Sequence, residues 1–280
     1  LSSAEEGSPD AELEPGFSIG VLHQANKAGE SFAFTTKNIW IPMRDLGPAR
    51  PSSFHGEEIT DGKLEFGWVY EESARVYSSP GGSAISGEVR TQWQKLPVLE
   101  EKTREKRRWF RIGDKQWVSD HHVRVPTRAE TPSEVLPGER WIDVDIPNQV
   151  VTAYEGDRPV FATLSSTGKG RGKSIQATPV GIHRIWVKLR SSYMDNLENE
   201  EASRYYAIQD VPWVMYFKKG YGLHGTFWHR SFGRVRSHGC VNLTPLDAQR
   251  LFAWTSPKLP TGWSAVIPTE YEQGTLVRVR

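Results

Sequence analysis

Short runs of alternating apolar and polar residues dominate the chain, and turn residues interrupt nearly all of them. A period of two is the signature of strands rather than helices. From Gly16 to about Pro126 the runs are short, and two segments there resemble each other: SFAFTTKNIWIPMRDL (31–46) and RWFRIGDKQWVSDHHV (108–123). Each passes from an aromatic-x-apolar run through a turn near a lysine to a Trp with a β-branched neighbour. One inserted residue aligns them, and the pair predicts two small β-barrel units. Beyond the linker the strands lengthen. In WIDVDI, Ile142, Val144 and Ile146 share one face and Asp143 and Asp145 point away from it. RPVFATLSS, HRIWVKL, WVMYF, WSAVI and TLVRV read as further strands. The one well-signalled helix is TPLDAQRLFAWT, with Thr244 as N-cap, Pro245 in the first helical position and Asp247 close to completing a capping box. The fold class expected is mainly β with few helices.

Composition narrows the picture. The 280 residues suggest about two domains. An apolar share of 37% is enough for a core. No run of ~18 apolar residues is present, which excludes a spanning helix. Lys plus Arg number 35 against 34 for Asp plus Glu, so charge supplies no bulk drive toward nucleic acid or an anionic membrane. A single Cys excludes an internal disulfide and a Cys-rich zinc module. LSSAEEGSPDAELEP (1–15) reads as a flexible leader, and PTRAETPSEVLPGER (126–140) as an inter-domain linker. The start at Leu1, without Met, suggests a processed or trimmed product, so the lack of a signal segment does not argue for the cytoplasm.

The chemistry concentrates in YGLHGTFWHRSFGRVRSHGCVNLTPLD (221–247). Cys240 lies in Ser237-His238-Gly239-Cys240-Val241-Asn242, and His224 lies upstream in Leu223-His224-Gly225. A lone Cys is usually a small buried hydrophobe. Two His-Gly pairs around this one favour a nucleophile with a base. The helix beginning near Thr244 is expected to turn its positive end toward the sulfur and favour the thiolate. The backbone amides around Gly239 and Cys240 are candidates for an oxyanion site.

H-x(12)-S-H-G-C-V-N resembles the signature of L,D-transpeptidases of the YkuD type. The resemblance runs from about Glu139 to Arg280 and takes in WIDVDIPNQVVTAYEGDRPV, STG…TPVGIHRI and VPWVMYFKKGYGLHGT. It implies Cys240 as nucleophile, His224 as base, the amides of His238, Gly239 and Cys240 as oxyanion hole, and Ser237 and Asn242 as residues that orient the loop. His238 is also implied as a support for the His224 tautomer. Asn242, Gly225, Tyr216, Trp213 and Tyr206 are the implied substrate-binding residues, although aromatics such as Trp213 and Tyr216 on a strand are more often core. The implied reaction is attack on the third-residue carbonyl of a peptidoglycan tetrapeptide stem, release of D-Ala, and transfer of the acyl group to an amine, giving a 3→3 cross-link. Water as acceptor makes the enzyme an L,D-carboxypeptidase, and loss of activity makes it a wall-binding protein. No cofactor is implied. The implied partners are peptide stems, and the implied location is the bacterial envelope, on the periplasmic side.

GWVYEESARVYSSPGG…RWFRIGDKQWVSDHHVRV resembles bacterial SH3-like domains. The domain plan expected is a leader at 1–15, a possible abbreviated SH3-like unit at 16–65, completed by Phe54 to Leu64, an SH3-like domain at 66–126, a linker at 127–138 and the catalytic domain at 139–280. The SH3-like units are expected either to bind the wall or to act as spacers.

Other patterns compete. His224, His229, His238 and Cys240 are zinc-ligand types, but their spacing matches no zinc pattern. TGKGRGKS (167–174) misses a phosphate loop by one residue, Thr167 standing where Gly is required, and reads as a cationic loop whose Lys169, Arg171 and Lys173 attract carboxylates. Ser191 to Asp210 is expected to be a surface excursion or a lid lined by Tyr205 or Tyr206. Glu100 to Trp109 reads as a solvated hairpin tip, and His121-His122 as a surface strand end.

Overall fold

The computed structural model describes residues 17–170, 172, 174–195 and 206–280. The leader at 1–15, Arg171, Lys173, Tyr205 and positions 196–205 of the expected lid lie outside them. The described residues are mainly β, with one α-helix. Strands β1 (Val21–Lys27), β2 (Glu30–Thr35) and β3 (Trp40–Pro42) form an antiparallel meander, followed by β4 (Glu57–Glu58). Next come β5 (Phe66–Val69), β6 (Ser73–Tyr77), β7 (Ala84–Thr91), β8 (Lys95–Pro97), β9 (Glu100–Arg104), β10 (Arg107–Gly113), β11 (Gln116–Ser119) and β12 (Val123–Arg124), in sheets ordered β7-β6-β11-β10-β9 and β12-β5-β8. The remaining elements are β13 (Arg140–Asp145), β14 (Val150–Glu155), β15 (Arg158–Leu164), β16 (Gly181–Arg184), β17 (Val187–Asp195), β18 (Ala207–Lys218), β19 (Tyr221–Gly225), β20 (Val241–Leu243), helix α1 (Pro245–Trp254), β21 (Ala265–Val266) and β22 (Leu276–Val279).

Two sheets carry the C-terminal half, ordered β16-β22-β13-β14-β15-β4 and β20-β19-β18-β17-β21. Ile142, Val151 and Val277 from the first meet Met215, Leu223 and Val241 from the second, with Ala248, Leu251 and Phe252 of α1 completing the core. The helix starts as its sequence predicts: Thr244 Oγ1 accepts from the Asp247 amide at 3.3 Å, and Pro245 follows the cap. The Asp247 carboxylate accepts from Thr163 Oγ1 and from the Gly56 amide, tying the helix to β15 and to the segment before β4.

Several expectations change. The similar segments 31–46 and 108–123 share a hairpin, β2–β3 and β10–β11, with Asn38 and Lys115 at φ 60° and 49° in the turns. Only the second lies in a pair of sheets around a common core, built on Val69, Val76, Phe110 and Val118. The first stays an open three-stranded sheet. Phe54 to Leu64 does not complete it, because β4 pairs with β15 and extends the six-stranded sheet. HRIWVKL is two strands rather than one: β16 pairs with β22, and after Ile185 and Trp186 the chain enters the other sheet as β17. Asp143 and Asp145 lie on the other face of β13 and are also buried there, neutralised by Arg278 and Arg280. The 127–138 segment is fastened along its length. Thr127 Oγ1 donates to Asp145 at 2.7 Å, the Ala129 amide donates to Tyr154 Oη at 3.0 Å, and the Glu130 carbonyl accepts from Arg278.

Phe54, Phe66, Trp68 and Tyr70 share a buried cluster with Val150, Leu164 and Phe232. A separate apolar cluster therefore joins the preceding β unit to the C-terminal sheets. Phe54→Ala is expected to destabilise the whole chain by about 3–5 kcal/mol. Near- and far-UV circular dichroism should report one coincident urea transition, shifted in the variant; two separated transitions would show that the units fold independently.

Candidate active site

Strands β19 and β20 run parallel, with Leu223 opposite Val241, His224 opposite Asn242 and Gly225 opposite Leu243. Residues that face each other across a ladder share a sheet face, and so do residues two apart along a strand. This register sets Cys240, just before β20, and His224 on the same face as diagonal neighbours. The His224 ring is 2% exposed. Its Nδ1 lies 3.2 Å from the Gly225 carbonyl and 3.3 Å from Thr226 Oγ1. A carbonyl only accepts, so Nδ1 carries the proton and Nε2 keeps its lone pair. Trp228 stacks on the ring with centroids 5.8 Å apart. Burial lowers the His224 pKa to about 4, opposed only by the hydrogen bond to Gly225. Desolvation pushes the Cys240 thiol up to about 11 against a backbone hydrogen bond from Gly222, and the thiol donates to the Gly220 carbonyl at 3.6 Å. At neutral pH the pair is a neutral imidazole and a neutral thiol.

The helix N-terminus does not activate the sulfur. The three residues of β20, ~10 Å of extended chain, separate Cys240 from α1, and the helix field fades within its first turn.

The SHGC loop is locked from three sides. Ser237 Oγ accepts from the Gly239 amide at 3.0 Å and donates to the Cys240 carbonyl. The Gly239 amide is thus engaged, which takes it out of the expected oxyanion set and leaves the His238 and Cys240 amides as its candidates. Thr178 Oγ1 donates to the Gly239 carbonyl at 2.8 Å and accepts from the Gly168 amide at 2.9 Å. Residues 166–169 run beside the loop, with Ser166 pairing to Asn242 and the Ser237 carbonyl accepting from the Lys169 amide. Gly239 sits at φ 125°, and a Cβ there would lie 2.4 Å from Tyr221 Cε1, so only glycine fits. The STG and TPVG stretches thus owe their place in the sequence to this lock, which Thr178 completes.

The expected residues divide into two groups. Tyr206 stacks on the exposed His238 at 5.2 Å, and burial raises the pKa of Tyr206 and of Tyr216, with the nearby Cys240 adding to it in both. Lys169 lies close enough to His238 to add to the burial that lowers its pKa. Trp213 packs into the core against Phe252 instead, with centroids 5.4 Å apart. Gly225 lies where a Cβ would press on Pro212 Cγ at 2.9 Å and Pro245 Cα at 3.2 Å, so it serves close packing. His238 does not hold the His224 tautomer, a task that falls to Gly225 and Thr226. The side chain of Asn242 pairs with His229 Nε2 at 2.9 Å, while His229 Nδ1 accepts from the Ser231 amide. His229 Nδ1 is thus an acceptor, and its Nε2 faces the Asn242 side-chain amide. Burial lowers the His229 pKa to about 3. Both His229 nitrogens are committed to these bonds, and among the described residues no three His, Cys, Asp or Glu side chains converge as metal ligands. Trp228 and Tyr221 carry no motif of their own, and no sequence signal marks them apart from their closeness to the HG and SHGC pairs; Thr178 lies in the TPVG stretch and His229 stood out only as a zinc-ligand type.

The loop between His224 and Cys240 is also held by the preceding β unit. Arg124 Nε donates to the Gly233 carbonyl at 3.0 Å, and its guanidinium lies 4.0 Å from the Tyr70 ring centre. Arg234 pairs with Glu71.

A family model described as the L,D-transpeptidase catalytic domain, YkuD, matches residues 139–279. Among solved structures the chain is similar to the catalytic domain of an Enterococcus faecium L,D-transpeptidase, at 23% identity and TM-score 0.39, covering 51% of this chain and 98% of that one. A longer Enterococcus faecium L,D-transpeptidase structure matches at 22% identity and TM-score 0.38, over 51% of this chain and 50% of that one, about half its length. An L,D-transpeptidase from Mycobacterium smegmatis matches over 96% of this chain and 97% of that one, at 16% identity and TM-score 0.37. No curated protein matches. With half of its residues matched by the family model, the chain belongs to the L,D-transpeptidase family, and residues 139–279 are its YkuD catalytic domain.

Proposed function

We propose that the protein is a peptidoglycan L,D-transpeptidase with Cys240 as nucleophile and His224 as general base and acid. The observation that carries this reading is the β19–β20 register, which sets a thiol and a correctly protonated, buried imidazole on one face beside a locked loop. Family membership supports the substrate, a tetrapeptide stem. As sulfur bonds to the third-residue carbonyl carbon, the thiol proton passes to His224 Nε2. The His238 and Cys240 amides face the developing oxyanion. Collapse breaks the bond to terminal D-Ala, whose nitrogen takes the proton from His224, and leaves a thioester. An acceptor amine then attacks, His224 takes its proton, and the thiol leaves reprotonated with the new amide formed. Tyr206 and Tyr216 wall the donor site, and Lys169 attracts stem carboxylates.

Residues 66–126 are the proposed SH3-like unit, and their grip on Gly233 and Arg234 supports the reading as a spacer that positions the catalytic domain. No helix among the described residues is long and apolar enough to cross a membrane. The substrate sets the proposed location on the periplasmic side of the bacterial envelope.

Incubation with a disaccharide-tetrapeptide, followed by intact mass spectrometry, is expected to give an acyl adduct with loss of D-Ala and then a dimer, with neither product in Cys240→Ala. Tripeptide without dimer would assign a carboxypeptidase, and a freely alkylated Cys240 with no adduct would refute the acyl-transfer reading.

Because His224 acts as base only when neutral, the acid limb of kcat/KM should fall near its pKa of about 4 rather than near 6.5. Thiolate absorbance at 240 nm should appear only near pH 11. A thiolate present at pH 7 would replace the neutral pair with an ion pair.

The same rings set acid stability. Below pH 6.5 the unfolded chain binds protons that folded His224 and His229 refuse until pH about 4 and about 3. Stability contributed by the two buried neutral rings is thus full above pH 6.5 and lost as pH falls, by roughly 3 kcal/mol for His224 alone. Urea midpoints should drop steadily between pH 7 and 4; a flat profile would show that the rings titrate normally.

A further inference from the structure

The meander that opens the described chain is joined to the candidate site through one strand. Ser18 pairs with Ile208 in parallel: its amide donates to the Ala207 carbonyl and its carbonyl accepts from the Gln209 amide, both at 2.9 Å. On its other side Ile208 pairs with Met194 of β17. The start of β18 is therefore an inner strand at this point, sandwiched between β17 and Ser18. A bulge makes the junction possible. Val211 pairs with Ser192 and Ile208 with Met194, so β18 spends one residue more than β17, and Asp210 stands at φ 53° within the surplus. Gln209 is aimed back at the meander, where its Oε1 accepts from the Gly20 amide and from Thr36 Oγ1, both at 3.0 Å. The Thr36 amide closes the arrangement on the Gly20 carbonyl at 2.9 Å. Gly20 has no room for a side chain, because a Cβ would lie 1.8 Å from Asp210 Oδ2. Lys37, in the β2–β3 turn, reaches over the Tyr193 ring of β17 at 5.2 Å.

Tyr206 is the residue immediately before this clamp. Its ring stacks on His238, two residues from Cys240. We infer that Gln209, gripped by Gly20 and Thr36, is a positioning residue that fixes Tyr206 against the SHGC loop and thereby sets the affinity for the donor stem. The N-terminal meander is then part of the donor site's framework, although it lies outside the family's matched region at 139–279. The assignment of Tyr206 to the donor wall rests on the proposed transpeptidase reading; the mechanical link from Gln209 to the loop does not.

The test uses the full chain with Gln209→Ala, Tyr206→Ala and the double variant. Removing the Gln209 side chain takes away two hydrogen bonds at the end of β18 and leaves every group around Cys240 in place. Hydrogen exchange read by mass spectrometry is expected to quicken in Gln209→Ala over residues 206–210 and over 237–242, where the Gly239 and Asn242 amides are hydrogen-bonded, with the rest of the chain unchanged. This arm needs no substrate, so it decides the link even where the wild type fails to turn over the tetrapeptide. With a working enzyme, KM for the tetrapeptide is expected to rise about five- to tenfold, the scale of one lost hydrogen bond, with kcat changed less than twofold. The two substitutions should be non-additive, with Gln209→Ala adding nothing further once Tyr206 is gone. Unchanged exchange at 237–242 overturns the inference, as does a purely lower melting temperature with wild-type KM or a fully additive double variant.

Discussion

The parallel pairing of β19 with β20 is the constraint on which the site depends. Antiparallel neighbours can be joined by a tight turn, but parallel ones need a crossover. The chain between His224 and Cys240 supplies it, and that crossover is where the chemistry becomes vulnerable, since residues 226–240 form no strand or helix of their own. Its order comes from outside. Phe232 is buried beside Trp68 and Phe54, the Gly233 amide and carbonyl are taken by Ser165 and Arg124, and His229 is held between Ser231 and Asn242. A loop with this many distant anchors keeps a fixed shape without regular structure.

Burial explains the resting state of the pair. Both groups lose water, and desolvation penalises a charge on either of them, so the imidazole loses its proton readily and the thiol holds on to its own. In the proposed reaction the strong nucleophile and the charged acid therefore arise together, when one proton crosses from sulfur to nitrogen. The proposed mechanism draws its advantage from placement: a base in its reactive tautomer and backbone donors fixed before substrate arrives.

The segments that precede the catalytic domain do more than tether it. β4 adds a strand to the six-stranded sheet, Gly56 and Glu58 bind α1 through Asp247 and Arg250, and the Trp68 cluster is common to both halves. Surface ion pairs such as Arg250 with Glu58 contribute little alone. The apolar cluster and the buried backbone hydrogen bonds are what make these segments part of one framework.

The sequence by itself determined the local features. The capped helix at 244–254, the alternation that makes 141–145, 158–164 and 213–217 strands, and the HG and SHGC pairs all follow from neighbours along the chain, because caps, pleats and glycine-dependent turns are short-range physics. The family was legible for the same reason, since its motif is compact. What lay beyond reach were partners far apart in sequence. Nothing near WIDVDI announces that Arg278 and Arg280 bury its two aspartates, nor near Phe54 that its strand belongs to β15. The helix seemed aimed at Cys240 because the two are close in sequence, whereas extended β20 carries them apart. Gly239 seemed free to hold an oxyanion until Ser237 folded back onto its amide. Tertiary structure decided these points because a hydrogen bond, a charge or a desolvated ring takes its energy from whatever the fold sets against it, and alternation along the chain is blind to that.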